Sequence, residues 1–152
     1  MFTLRERDTF IRYLRKWIER IRAEATDLTN SNVLDRPMYL YAEFEGKVDS
    51  IIWVIGLFDE LRDNCTEREL SIIADIIEEE ALIWEERSKD CDMIEVEDID
   101  PEGDEFAPLL EEIVKIHSCK DSRTYSDLSH YFSEGRKTLD VVSDKIREKI
   151  KE

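Results

Sequence analysis

The chain has 152 residues, of which 41% are hydrophobic and 39% charged, with four glycines and three prolines. This length supports one self-sufficient core, so neither disulfides nor a structural metal is required, and the low glycine and proline content favours helices over a β-sandwich. The net charge of −16 lies in one sector: residues 59–105 hold twenty acids against four bases, whereas residues 1–58 and 106–152 each hold nine of both.

An acidic sector of this kind repels phosphate backbone, which excludes duplex binding through it. It suits a basic protein surface, cations or imitation of nucleic-acid charge, and the bland use is to keep helix faces solvated. Cys65, Cys91 and Cys119 fit no paired spacing and read as reduced thiols of a cytoplasmic protein. Charges interrupt the opening MFTLRERDTF, so no secretory leader is expected, and no apolar run reaches the length of a membrane span.

In chain order, Thr3-Leu4-Arg5-Glu6 has the form of a capping box and should start a helix. Leu4, Ile11, Leu14, Ile18, Ile21, Ala25 and Leu28 mark its apolar stripe, and the helix is expected to run to about Ala25. Its other face collects Arg5, Arg12, Arg15, Lys16, Arg20 and Arg22, the part of the chain best suited to meet phosphate or a partner's acids. The usual role of such a face is solvation or pairing within its own fold.

After a polar connection from Asp27 to Arg36, Pro37 suits the first turn of a second helix. There Tyr41, Phe44, Val48, Ile51, Ile55 and Phe58 recur at spacings of three and four, while Leu40, Ile52, Val54 and Leu61 widen the stripe. A helix apolar so far round its circumference belongs at the centre of a bundle, and it is expected to end near Asp63. A second capping box, Thr66 to Glu69, opens a third helix so soon afterwards that the two should form an antiparallel hairpin.

In the third helix Leu70, Ile73, Ile77, Ala81 and Trp84 form one stripe, and Ile72, Ile76 and Ile83 form another about 100° or more away. Such a helix is buried on two sides or presents one side to a partner. Lys89 to Ala107, with Pro101, Gly103 and many acids, reads as a long acidic loop. Pro108 suits the start of a fourth helix carrying Leu109, Leu110, Ile113, Val114 and Ile116. After a polar link, a fifth helical region holds Leu128, Phe132, Leu139, Val142, Ile146 and Ile150, with Gly135 on the stripe as either a break or a close-approach point.

The expected fold is therefore all-α, a single domain over residues 1–152 with about five helices and the acidic loop between the third and fourth. Surplus apolar faces fit either a homodimer or simple core burial.

Catalytic motifs are few. There is no glycine-rich phosphate loop, no His-Glu-x-x-His helix and no Cys-x-x-Cys pair. Glu60 and Asp63 with Asp75 and Glu78 resemble the magnesium-holding carboxylates of helical NTP pyrophosphatases. In a hairpin, however, the two pairs would stand about 15–20 Å apart and could not share an ion. His117 and Cys119 make a poor metal site alone. Arg123-Thr-Tyr-Ser-Asp-Leu-Ser-His130 resembles the Arg-x4–6-His signature of the HEPN superfamily, helical bundles that often dimerise and in many members cleave RNA. The resemblance implies His130 as proton-transfer group and Arg123 as stabiliser of phosphorane charge. Thr124 stands where a polar residue often follows the family's arginine, either a departure or a permissive match.

The reading preferred over that one is a non-enzymatic, cytoplasmic interaction or regulatory protein, inhibitor- or antitoxin-like, whose acids hold a basic protein surface without a cofactor or metal. The residues expected to bind the partner are Asp98, Asp100, Glu102, Asp104 and Glu105, with Glu78 and Glu79.

Overall fold

A computed structural model describes residues 1–30, 38–92, 108–109, 112 and 125–151. Four long helices are α1 (Leu4–Asn30), α2 (Met38–Asp59), α3 (Glu67–Asp92) and α4 (Tyr125–Lys151), and the described chain is an all-helical bundle without a strand. The first four residues of the predicted acidic loop, Lys89 to Asp92, instead continue α3; the rest of the loop and most of the predicted fourth helix lie outside the described residues, and Pro108, Leu109 and Glu112 are helical.

Both capping boxes form as the sequence requires. The Thr3 hydroxyl accepts from the Glu6 amide at 3.1 Å, and the Glu6 carboxylate accepts from the Thr3 amide at 3.3 Å. Thr66 and Glu69 repeat the arrangement at 3.1 and 3.4 Å. Two predicted ends move. Helix α1 continues past Ala25 because Leu28 still packs on the core, and α2 stops at Asp59 rather than near Asp63. There the Arg7 guanidinium donates to the Leu61 carbonyl and the Asn64 side chain accepts from the Leu4 amide at 2.9 Å. Phe2 and Cys65 exchange backbone hydrogen bonds of 2.8 Å, tying the start of the chain to the α2–α3 link.

The largest departure concerns the expected hairpin. Helices α2 and α3 follow one another closely in sequence, yet the intimate contacts of the bundle are α3 with α4, α2 with α4, and α1 with α2. Helix α4 thus mediates between α2 and α3. It runs alongside α2 in the same direction, as Glu43 opposite His130 and Lys47 opposite Glu134 show. It runs against α3, with Ser88 opposite Ser129 and Glu78 opposite Ser143.

Glycine makes this approach possible. A Cβ on Gly46 would collide with the backbone carbonyl of Tyr131, and one on Gly135 would collide with the Trp84 ring and stand 3.0 Å from the Gly46 carbonyl oxygen. Gly135 is therefore a close-approach point inside one continuous helix, not a break. Around it Trp84 stacks on Tyr131 with centroids 5.4 Å apart, and Phe132 meets Trp84 edge-on at 5.6 Å. Tyr41, Ile51, Val54 and Phe58 of α2 and Leu128, Leu139 and Val142 of α4 are completely buried, so the predicted central role of α2 holds but is shared with α4. Among the described residues, no helix is long and apolar enough to cross a membrane.

The glycines give a contrast within one helix. Gly46→Ala should destabilise the protein by about 1–3 kcal/mol, because a backbone atom must move. Gly56→Ala, where a Cβ meets nothing within 4 Å, should stabilise it by about 0.5–1 kcal/mol through helix propensity. Urea unfolding of the two variants beside the parent measures both; equal effects would contradict the packing.

Candidate functional site

Helix α3 lies on the edge of the bundle, and the residues it turns to α4 are Leu70, Ala74, Ile77, Ala81 and Trp84, all buried. Its second stripe is uncovered. Ile72 is 49% exposed, Ile76 40%, Leu82 59% and Ile83 43%. Successive members of the set Ile72, Ile76, Glu79 and Ile83 are three or four residues apart, so they share one helix face about 16 Å long. Asp75, Glu79, Glu86 and Asp90 are exposed on and beside it. The sequence allowed for burial on two sides or presentation to a partner, and among the described residues the second side is not buried.

The acids expected to bind a partner divide into three groups. Glu79 is exposed on this face. Glu78 is committed inside the fold, since Arg147 of α4 grips it in a fork, Nε to Oε1 at 2.8 Å and NH2 to Oε2 at 2.9 Å, while the Ser143 hydroxyl donates at 3.2 Å. The same guanidinium reaches Asp75 at 2.5 Å. Asp98, Asp100, Glu102, Asp104 and Glu105 lie outside the described residues. The hydrogen bond from Arg147 holds the Glu78 carboxyl below its usual pKa, outweighing the opposing effect of desolvation. Nothing in the spacing of α3 marked this clamp, because its cation comes from a helix 69 positions away.

Of the Arg123 and His130 pair, Arg123 lies outside the described residues. His130 stands in the second turn of α4, half-exposed, with Nδ1 3.0 Å from the Glu43 carboxylate of α2. Beside it the Tyr131 hydroxyl donates to Asp49 at 2.6 Å. Burial raises the pKa of Asp49 despite that hydrogen bond, and burial beside the carboxylate raises the phenol of Tyr131 as well. This cluster cross-links α2 to α4. Among the described residues no group of three or more histidines, cysteines or acids could hold a metal ion. Glu60 and Asp63 remain exposed in the α2–α3 link, and Asp75 and Glu78 are drawn to Arg147, so these four do not converge. His117 and Cys119 lie outside the described residues. Cys65 and Cys91 are both buried, and desolvation raises the pKa of the Cys65 thiol.

The sign of the Glu78 shift makes the clamp measurable. A carboxyl with a depressed folded pKa stabilises the fold above its unfolded value, about 4.3, and that contribution disappears as pH falls through the depressed value. Because the pair is partly solvated, Glu78→Gln should cost only about 0.5–1 kcal/mol at pH 7. The gap in thermal midpoint from the parent protein, ~2–4 °C at most, should narrow progressively as the pH of melting is lowered below about 4.3. A gap that persists in acid would show that the clamp is not what Glu78 contributes. Compared with known families, curated proteins and solved structures, the chain matches none.

Proposed function

We propose that this chain is a non-enzymatic interaction protein that docks a basic, amphipathic segment of a partner protein on the outer face of α3. The observation that carries the reading is the exposed stripe of Ile72, Ile76 and Ile83 bordered by Asp75, Glu79 and Glu86. Apolar residues at helical spacing offer anchor points for a partner helix, and acids around them select a partner with lysine and arginine on its flanks. A second copy of the chain suits this face poorly, since α3 carries ten acids against three bases and would be set against like charge. On this reading the acids Asp98, Asp100, Glu102, Asp104 and Glu105 extend the docking charge, as the acidic loop expected before a further helix. A regulatory, inhibitor-like role follows where the captured basic segment otherwise binds nucleic acid. The buried free thiol of Cys65 suits a cytoplasmic setting.

The reading replaces Glu78 with the isoleucines as the chief contacts. In affinity capture from the source cell, the parent protein should retain a basic partner that weakens with salt. Ile76→Ser with Ile83→Ser, and separately Glu79→Gln with Glu86→Gln, should each reduce affinity about tenfold. Both pairs of substitutions are on an exposed face, so the bundle should remain folded by circular dichroism. Capture unchanged by either pair and insensitive to salt would reject the proposal.

A further inference from the structure

On the opposite side of the bundle, α1 packs on α2 but stands off from α4, leaving an open groove of about 500 Å³ between them. Tyr13, Trp17, Arg20 and Glu24 line its α1 wall, Glu134, Lys137 and Val141 its α4 wall, and Lys47 comes up from α2. Beyond Tyr13 the groove continues into a second hollow of about 260 Å³ bordered by Lys145.

The chemistry of this groove differs from that of the rest of the protein. In a chain of net charge −16, α1 has seven bases against five acids and α4 six against five. Two aromatic rings stand in the groove wall, with Tyr13 and Trp17 centroids 6.4 Å apart and both residues only partly buried against the core. The Tyr13 ring already carries a cation, Lys145 Nζ, 5.3 Å from its centroid. Lys47 and Lys137 share one acid, Glu134, at 3.9 and 3.1 Å, which leaves a local excess of positive charge. Glu24, one turn on from Arg20, also lines the groove, so three cations there face two acids.

We infer that this groove binds a nucleotide, free or as a unit of single-stranded nucleic acid. The base would stack on Trp17, since Tyr13 is already engaged by Lys145 and Phe10, and its phosphates would be met by Arg20, Lys47 and Lys137. Flat aromatic faces beside a row of cations match a ligand that is both planar and multiply anionic, whereas a duplex, with its bases stacked inside, offers nothing to the rings. The volume also falls within the range of small-molecule sites. Segregation of charge permits the binding: α3 carries ten acids against three bases, whereas the groove has three cations to two acids.

The test uses the full chain at low salt with two probes, ATP by calorimetry and a fluorescent single-stranded oligonucleotide by anisotropy. Binding of ATP alone assigns a free nucleotide, and tighter binding of the oligonucleotide assigns a strand; both support the groove. Arg20→Glu with Lys137→Glu, both on exposed or half-exposed positions, should weaken binding about tenfold or more, and Trp17→Leu about fivefold or more. The Ile76→Ser and Ile83→Ser pair on α3 should leave it unchanged, which separates this site from the docking face. No binding of either probe, undiminished binding by the charge-reversed protein, or equally tight binding of a glutamate-rich peptide would overturn the inference.

Discussion

The contact on which the bundle depends is the approach of α2 and α4 at Gly46 and Gly135, where backbone meets backbone and no side chain intervenes. Helices usually pack with axes about 8–10 Å apart because side chains fill the space between them. Removing two Cβ atoms lets α4 sink against α2, and Trp84 of α3 then covers Gly135 and stacks on Tyr131. The order of contact α3, α4, α2, α1 follows from this step. Glycine in a helix interior costs about 1 kcal/mol in propensity, and here the burial of Trp84, Tyr131 and Phe132 around the contact offsets it.

That order has a functional consequence. With α2 and α4 in the centre, α3 and α1 become edges, and each leaves a face outside the described core. The α3 edge has apolar residues set among acids, and the α1 edge has aromatics set among cations. The net charge of −16 therefore describes neither surface, because it averages two faces of different chemistry. Arg147 also limits how far the acidic sector can be counted as free, since it neutralises Glu78 and Asp75 from within the fold.

Local features were legible in the sequence where a short stretch contained all the atoms involved. The two capping boxes join residues three apart, and both form. The stripe of α2 from Tyr41 to Phe58 is read from one helix, and its buried residues match the core. Gly135 could be flagged as a close-approach point, but its counterpart Gly46 could not, since the pairing depends on which helix lies opposite. The short α2–α3 link suggested a hairpin for the same reason: connection length constrains sequence neighbours and says nothing about a later helix that fits between them better. Among the site residues, Glu79 is exposed, whereas Glu78 is held by Arg147, a long-range partner invisible to spacing. The groove lined by Tyr13, Trp17 and Lys137 was hidden likewise, although the cationic face of α1 that borders it was plain.

Native-state hydrogen exchange tests the central claim most directly, because it ranks the helices by the free energy needed to open them. If the α2–α4 contact holds the bundle together, amides between Val48 and Phe58 and between Phe132 and Ile146 should exchange last and only through global unfolding. Those of the outer turns of α1 and α3 should open earlier. Protection of α1 or α3 that outlasts α2 and α4 would contradict the account.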